Sequence, residues 1–291
     1  MNNQKSLEAL ISLMDDPDEQ IYTHVRTKLM EIGPEVVGLL ETTWEESNYG
    51  LLFQERIEAI IHDIQFEECK RQLTAWYAGR KKDLLAGSLI VAKYQFPGLD
   101  ESGVHKFIEK VRRDCWLELN HNMTAFEVVG VLNKIIFGQY GFSGNSSNYH
   151  ASSNSYLNNV IETKKGNPLS LSIIYSVIAQ QLNLPIYGVN LPNHFVLAYM
   201  DENGANQYIS NGNEYGVLFY INAFSRGSIL QKEDITEFLK SIQAYPESFH
   251  YQPCSNSDII RRMLTNLIAS FQQVGNAEKV NELCELRAIL Q

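Results

Sequence analysis

Residues 166–200 carry the pattern that most narrows the fold. A long apolar helix signature gives way there, within a few residues, to strand alternation. Asn167 is a residue type that caps helices, and Pro168 suits the first helical position, where its missing N–H would have no intrahelical acceptor anyway. Leu171, Ile174, Ile178 and Leu182 recur at steps of three and four, widened by Ile173 and Val177. The spacing predicts a helix that is buried over most of its surface. Asn183 and Leu184-Pro185 end it, because the residue before a proline is pushed out of helical conformation. The period then changes to two. Strands are expected over 186–191 and 194–200, joined by a turn at Pro192-Asn193, with another at 217–222. Asp201-Glu202-Asn203-Gly204 reads as a hairpin turn and 207–210 as a short strand. A buried helix on an antiparallel sheet is an α+β architecture.

The rest of the chain reads as helices. Leu7, Leu10, Ile11 and Met14 share a helical face, and Asp15-Asp16-Pro17-Asp18 then offers an acidic helix start. Ile21, Val25, Leu29 and Ile32 follow, and Gly33-Pro34 stops that helix and begins another. Further helical segments are expected at 51–64, 66–78 and 83–95, closed by Gln95-Phe96-Pro97-Gly98. This first region, 1–100, is either HEAT-like or an ordinary bundle. A core over 101–250 opens with helices at 103–119 and 124–137, the second capped by Thr124 with Glu127 three residues on. Residues 138–155, rich in Gly, Ser and Asn, form a loop of the length that often carries function. Residues 251–291 read as a TPR-like helical hairpin docked on the core. Ser257 or Asp258 caps its first helix, Ile260, Leu264, Leu267, Ile268 and Phe271 give that helix its apolar face, and a return helix starts at Ala277.

Charge excludes some partners. The net charge is −10, and the basic clusters 80–82, 112–113, 164–165 and 261–262 are short and free of interleaved aromatics. They read as solvated faces and loop ends, so no nucleic-acid partner is expected. No apolar run approaches the roughly 18–20 residues of a membrane span, and the N-terminus has no signal-peptide pattern, so a cytoplasmic protein without a membrane partner is expected. The four cysteines, Cys69, Cys115, Cys254 and Cys284, form no CxxC pair. Neither a metal nor a cofactor is expected, and the thiols are expected reduced.

A helix followed by a strand with an early histidine is also the layout of papain-like thiol enzymes. In them the helix dipole and the imidazole hold a cysteine as thiolate, and an Asp or Asn orients the ring. The strings Lys165-Gly166-Asn167-Pro168-Leu169-Ser170-Leu171 and Leu184-Pro185-Ile186-Tyr187-Gly188-Val189-Asn190-Leu191-Pro192-Asn193-His194-Phe195 resemble the second type of transglutaminase-like core. That branch includes bacterial SirB-like proteins and a region of certain F-box proteins. Residues 138–149, 154–158 and 219–224 match it too. The resemblance covers about 85–290 and implies a papain/transglutaminase-like core flanked by an all-α N-terminal region and a TPR-like tail.

Carried across residue by residue, the resemblance puts the family histidine at His194 and the orienting residue at Asn222. It puts the nucleophile position at Pro168, which has no nucleophilic side chain. Ser170, and less directly Ser172, is the nearby hydroxyl. Ser170 is either a nucleophile using His194 as base or a serine bonded to its own helix backbone. His194 is either that base or a structural partner of Asn222. Strand 194–200 pairs either with 217–222 across a long excursion, or with residues near 211 through Asn203-Gly204; the resemblance favours the first. Tyr140, Phe142, Tyr149 and Tyr156 either line a groove or pack under their loop. The expectation is a non-catalytic protein with a binding, regulatory or scaffolding role toward a protein or peptide. The alternative is a hydrolase or acyltransferase using Ser170, or a recruited cysteine, with His194 and Asn222.

Overall fold

A computed structural model describes residues 2–46, 50–201 and 216–291. The expected turn at Asn203-Gly204 and the short strand at 207–210 lie outside the described residues. The chain divides into two compact units, Met1–Thr74 and Ala75–Gln291. That division falls inside a helix, earlier in the chain than the boundary at 100/101 read from the sequence.

In the first unit, α1 (Asn2–Ser12) leads through a short 3-10 turn to α2 (Glu19–Ile32) and α3 (Val37–Glu46). Asp18 caps α2 by accepting from the Gln20 N–H at 2.8 Å, and Gly33 ends it at φ 75°. α4 (Leu51–Ala78) is one continuous helix rather than the two segments expected. No glycine or proline stands between them, so nothing interrupts the backbone ladder. Met14, Val25, Leu29, Leu40, Ile57 and Ile60 are among the residues of the apolar core. Among the described residues one cation enters this interior. The Arg56 guanidinium donates to the carbonyls of Met14 (2.8 Å) and Asp16 (2.6 Å) and to Glu19 Oε1 (2.7 Å). It also lies over the Tyr22 ring, 4.3 Å from its centroid. Arg56 therefore pins the acidic turn before α2 to α4.

The second unit begins with α5 (Leu84–Gln95), α6 (Glu101–Glu118) and α7 (Ala125–Asn133). Thr124 and Glu127 form the expected capping box, and a π-helical turn, Lys134–Gln139, extends α7. The following segment is not all loop. β1 (Ser143–Gly144) pairs in parallel with β2 (Lys165–Gly166), on either side of α8 (Leu157–Thr163). α9 (Pro168–Gln181) is buried from Pro168 to Ala179. It packs against β3 (Ile186–Leu191) and β4 (His194–Met200) of an antiparallel sheet completed by β5 (Val217–Asn222) and β6 (Ser228–Leu230).

The sheet is covered on both faces, as its almost uninterrupted apolar strands require. Val189, Leu191, Val196 and Ala198 pack against Ile235 and Leu239. Those two belong to α10 (Lys232–Ser241), a helix the sequence reading missed. The alternate residues Phe195 and Leu197 are buried as well. α11 (Asn256–Gln273) and α12 (Ala277–Ala288) form the C-terminal helical hairpin, and α11 packs on α5, α9 and β3. Its N-cap is Ser255, in a capping box with Asp258, two residues before the earliest position expected. Gly188 permits the close approach, since a Cβ there would stand 2.7 Å from the Phe195 ring and 3.0 Å from Ile259.

Candidate functional site

The start of α9 is built by a reciprocal cap. Asn167 Oδ1 accepts from the Ser170 N–H at 2.9 Å, and Ser170 Oγ accepts from the Asn167 N–H at 3.0 Å. Asn167 Nδ2 donates to Ser155 Oγ at 3.0 Å. A Cβ on Gly166 would sit 2.5 Å from Ser170 Oγ, so glycine leaves room for the cap. The Gly-Asn-Pro string is thus a helix-starting device. Ser170 is buried with its hydroxyl inside that device. Ser172 Oγ is buried without a hydrogen-bond partner among the described residues.

A two-residue turn delivers the histidine. Leu191 pairs with His194, and Asn193 takes φ 58°. Proline at the first turn position with a positive φ at the second is the type II pattern. β4 pairs with β5, with Leu197 opposite Ile221 and Ala198 opposite Tyr220. Continuing that register sets Val196 opposite Asn222. His194 therefore shares a sheet face with Asn222 but lies diagonal to it, two residues along, rather than directly across. Burial lowers the His194 pKa, a hydrogen bond to the Asn222 side chain pushes it back up, and the Arg262 charge lowers it. The first of these is the largest, so the neutral imidazole is favoured.

Pro168 and His194 line the same cleft, of about 340 Å³. Leu169 stands beside Pro168, and Asn193 precedes His194. The facing wall comes from α11, through Arg262, Asn266 and Ser270. Tyr149, His150 and Ser155 close it from the loop side. Of the four loop aromatics considered, Tyr149 lines the cleft, Phe142 and Tyr156 are buried, and Tyr140 is held by Asp114 at 2.7 Å.

Arg262 departs from expectation. The sequence pattern of Arg261-Arg262 predicts a solvated face, yet Arg262 is half-buried. Its Nη1 donates to Asn190 Oδ1 (2.9 Å) and the Leu191 carbonyl (3.1 Å), and its Nε to Asn266 Oδ1 (3.2 Å). Burial lowers its pKa. The i,i+4 spacing of Arg262 and Asn266 puts them on one helix face, but nothing local signals that the face borders His194.

Among the described residues no cysteine lines the cleft. Burial pushes the Cys115 and Cys254 thiols up to about 12, so both stay protonated at neutral pH, the opposite of an activated nucleophile. Among the described residues no cluster of three or more His, Cys, Asp or Glu could hold a metal, and no helix is long and apolar enough to cross a membrane.

The family described as the transglutaminase-like superfamily matches residues 102–265. The chain is similar to a UPF0162 protein of Xylella fastidiosa, 27% identical over 53% of this chain and 50% of that protein. It is similar to human F-box only protein 21, 29% identical over 55% of this chain and 24% of that one. A UPF0162 protein of Vibrio cholerae is 24% identical over 64% and 65% respectively. The chain spans half or less of the length of the first relatives it matches. No solved structure matches it.

Proposed function

Because the chain belongs to the transglutaminase-like superfamily, we propose that it is a non-catalytic member that holds a protein or peptide segment in the cleft beside His194. The observation that carries this reading is Pro168 at the head of α9, lining the same cleft as His194. Acyl transfer at such a position needs a nucleophilic side chain, and it gains from the nucleophile's own backbone N–H as an oxyanion donor. Proline lacks both. Ser170 does not replace it, because its hydroxyl is engaged within the Asn167 cap and is absent from the cleft lining. His194, hydrogen-bonded to Asn222, then serves as a polar group of the binding surface.

A cleft of this volume with a few convergent polar groups fits a short segment of a partner. The similarity to an F-box protein supports an interaction role, and a regulatory or scaffolding use of the TPR-like hairpin is consistent with it. Panning a displayed random-peptide library against the protein tests the reading. Selected peptides should bind the wild type and lose binding to His194→Ala. Hydrolysis of a fluorogenic amide or ester that disappears in His194→Ala would overturn it in favour of the hydrolase or acyltransferase alternative.

A further inference from the structure

Among the described residues, the cleft carries one fixed charge and no acidic group to balance it. The chain has 34 acidic residues against 24 basic ones, yet none of the residues lining the cleft is Asp or Glu. Arg262 forms no ion pair among the described residues. Its acceptors, the Asn190 and Asn266 amides and the Leu191 carbonyl, are all neutral. These three bonds fix the guanidinium plane and use Nε and Nη1. Nη2, with two N–H donors, has no acceptor among the described residues. A half-buried cation without a counter-ion costs free energy that a bound anion would recover.

Two further groups bear on the same space. The Leu169 N–H, in the first turn of α9, has no acceptor among the described residues, and the positive end of the helix dipole adds to it. His194 completes the lining. We propose that this cleft recognises a carboxylate of a bound polypeptide, either an acidic side chain or a chain terminus, through Arg262 Nη2. Leu169 N–H supplies a neighbouring donor. The proposal rests on the binding reading above and names the chemistry that reading leaves open. A single carboxylate suits the site better than a phosphate dianion, because Arg262 brings one positive charge and the neutral imidazole adds none.

Amide and arginine side-chain resonances in ¹H–¹⁵N spectra read this site on the wild-type protein, so no variant need fold. The probes are a capped Ala-Ala-Glu-Ala-Ala peptide, its Gln counterpart, an acetylated penta-alanine with a free C-terminus, N-acetylglutamate and inorganic phosphate. The Glu peptide or the free-acid peptide should shift the Arg262 Nε–H and Leu169 N–H signals saturably. It should bind about tenfold or more tightly than the Gln peptide, and Arg262→Met should abolish that difference. Equal binding of the Glu and Gln peptides, with the free-acid peptide no tighter, would overturn the carboxylate while leaving a peptide-binding cleft standing. Phosphate binding more tightly than any carboxylate, or N-acetylglutamate matching the peptides, would overturn the polypeptide carboxylate as ligand. No saturable shift from any probe would overturn it too, and the library selection then decides the binding reading separately.

Discussion

Arg56 and Arg262 are both arginines drawn out of water, one in each compact unit, and they are treated differently. Arg56 has a carboxylate, two carbonyls and an aromatic face around it. Its side chain is 6% exposed, and every part of its environment answers the charge. Among the described residues, Arg262 is anchored by neutral acceptors alone and opens onto a cleft without acidic residues. A buried cation that is fully answered is part of the structure. One that is held in place but unanswered is a group kept ready for something else.

The largest expected effect tests the first half of that contrast. Arg56→Met orphans two carbonyl acceptors, each costing about 1–3 kcal/mol when buried. It should lower stability by about 2–4 kcal/mol in urea unfolding, with cleft binding of the Glu peptide unchanged. A loss below about 0.5 kcal/mol would put Arg56 in the same class as Arg262.

Ser170→Ala comes next, at about 1 kcal/mol, the usual worth of a helix cap. Peptide binding should survive it, because the hydroxyl serves the start of α9 and not the cleft. Binding lost at unchanged stability would break the assignment of Ser170 to structure.

Arg262→Met should cost less than about 1 kcal/mol, since losing three bonds to neutral acceptors is offset by removing an unbalanced charge. It should also raise the His194 pKa, because the Arg262 charge is one of the causes that lower it. NMR titration of the imidazole checks this, and an unmoved or lower pKa would separate the two residues.

The smallest effect is the pH dependence from His194 itself. Its folded pKa lies below the unfolded value of about 6.5. As pH falls through 6.5 the unfolded chain takes up the proton first. The stabilising contribution is therefore complete above that pH and is lost on acidification toward the folded pKa. Unfolding curves at pH 7.5 and 5.5 should converge between wild type and His194→Gln at the lower pH.

Much of this was legible in the chain because its causes are local. The Gly-Asn-Pro start of α9, the Thr124–Glu127 cap, the change of period at Pro185 and the Pro192-Asn193 turn each depend on a few adjacent residues, and each appears in the fold. The resemblance supplied what spacing left open, the pairing of β4 with β5. The missed features are long-range. α10 is a short amphipathic helix whose burial depends on the far face of the sheet. Arg262 reads as a surface arginine until α11 packs beside β3 and brings it to His194. The cleft is a product of packing, so its lining from α11 had no local signature.

In the function proposed above, α9, His194 and Asn222 keep the frame of a thiol site in which Pro168 holds the nucleophile position. Alkylation of a Pro168→Cys variant with iodoacetamide, followed across pH with the modified peptide identified by mass, tests this most directly. The introduced thiol should react with a midpoint clearly below the ordinary cysteine value of about 8.5, and the midpoint should rise when His194→Gln is added. A midpoint at or above 8.5 that ignores His194, in a variant that is folded, would contradict it.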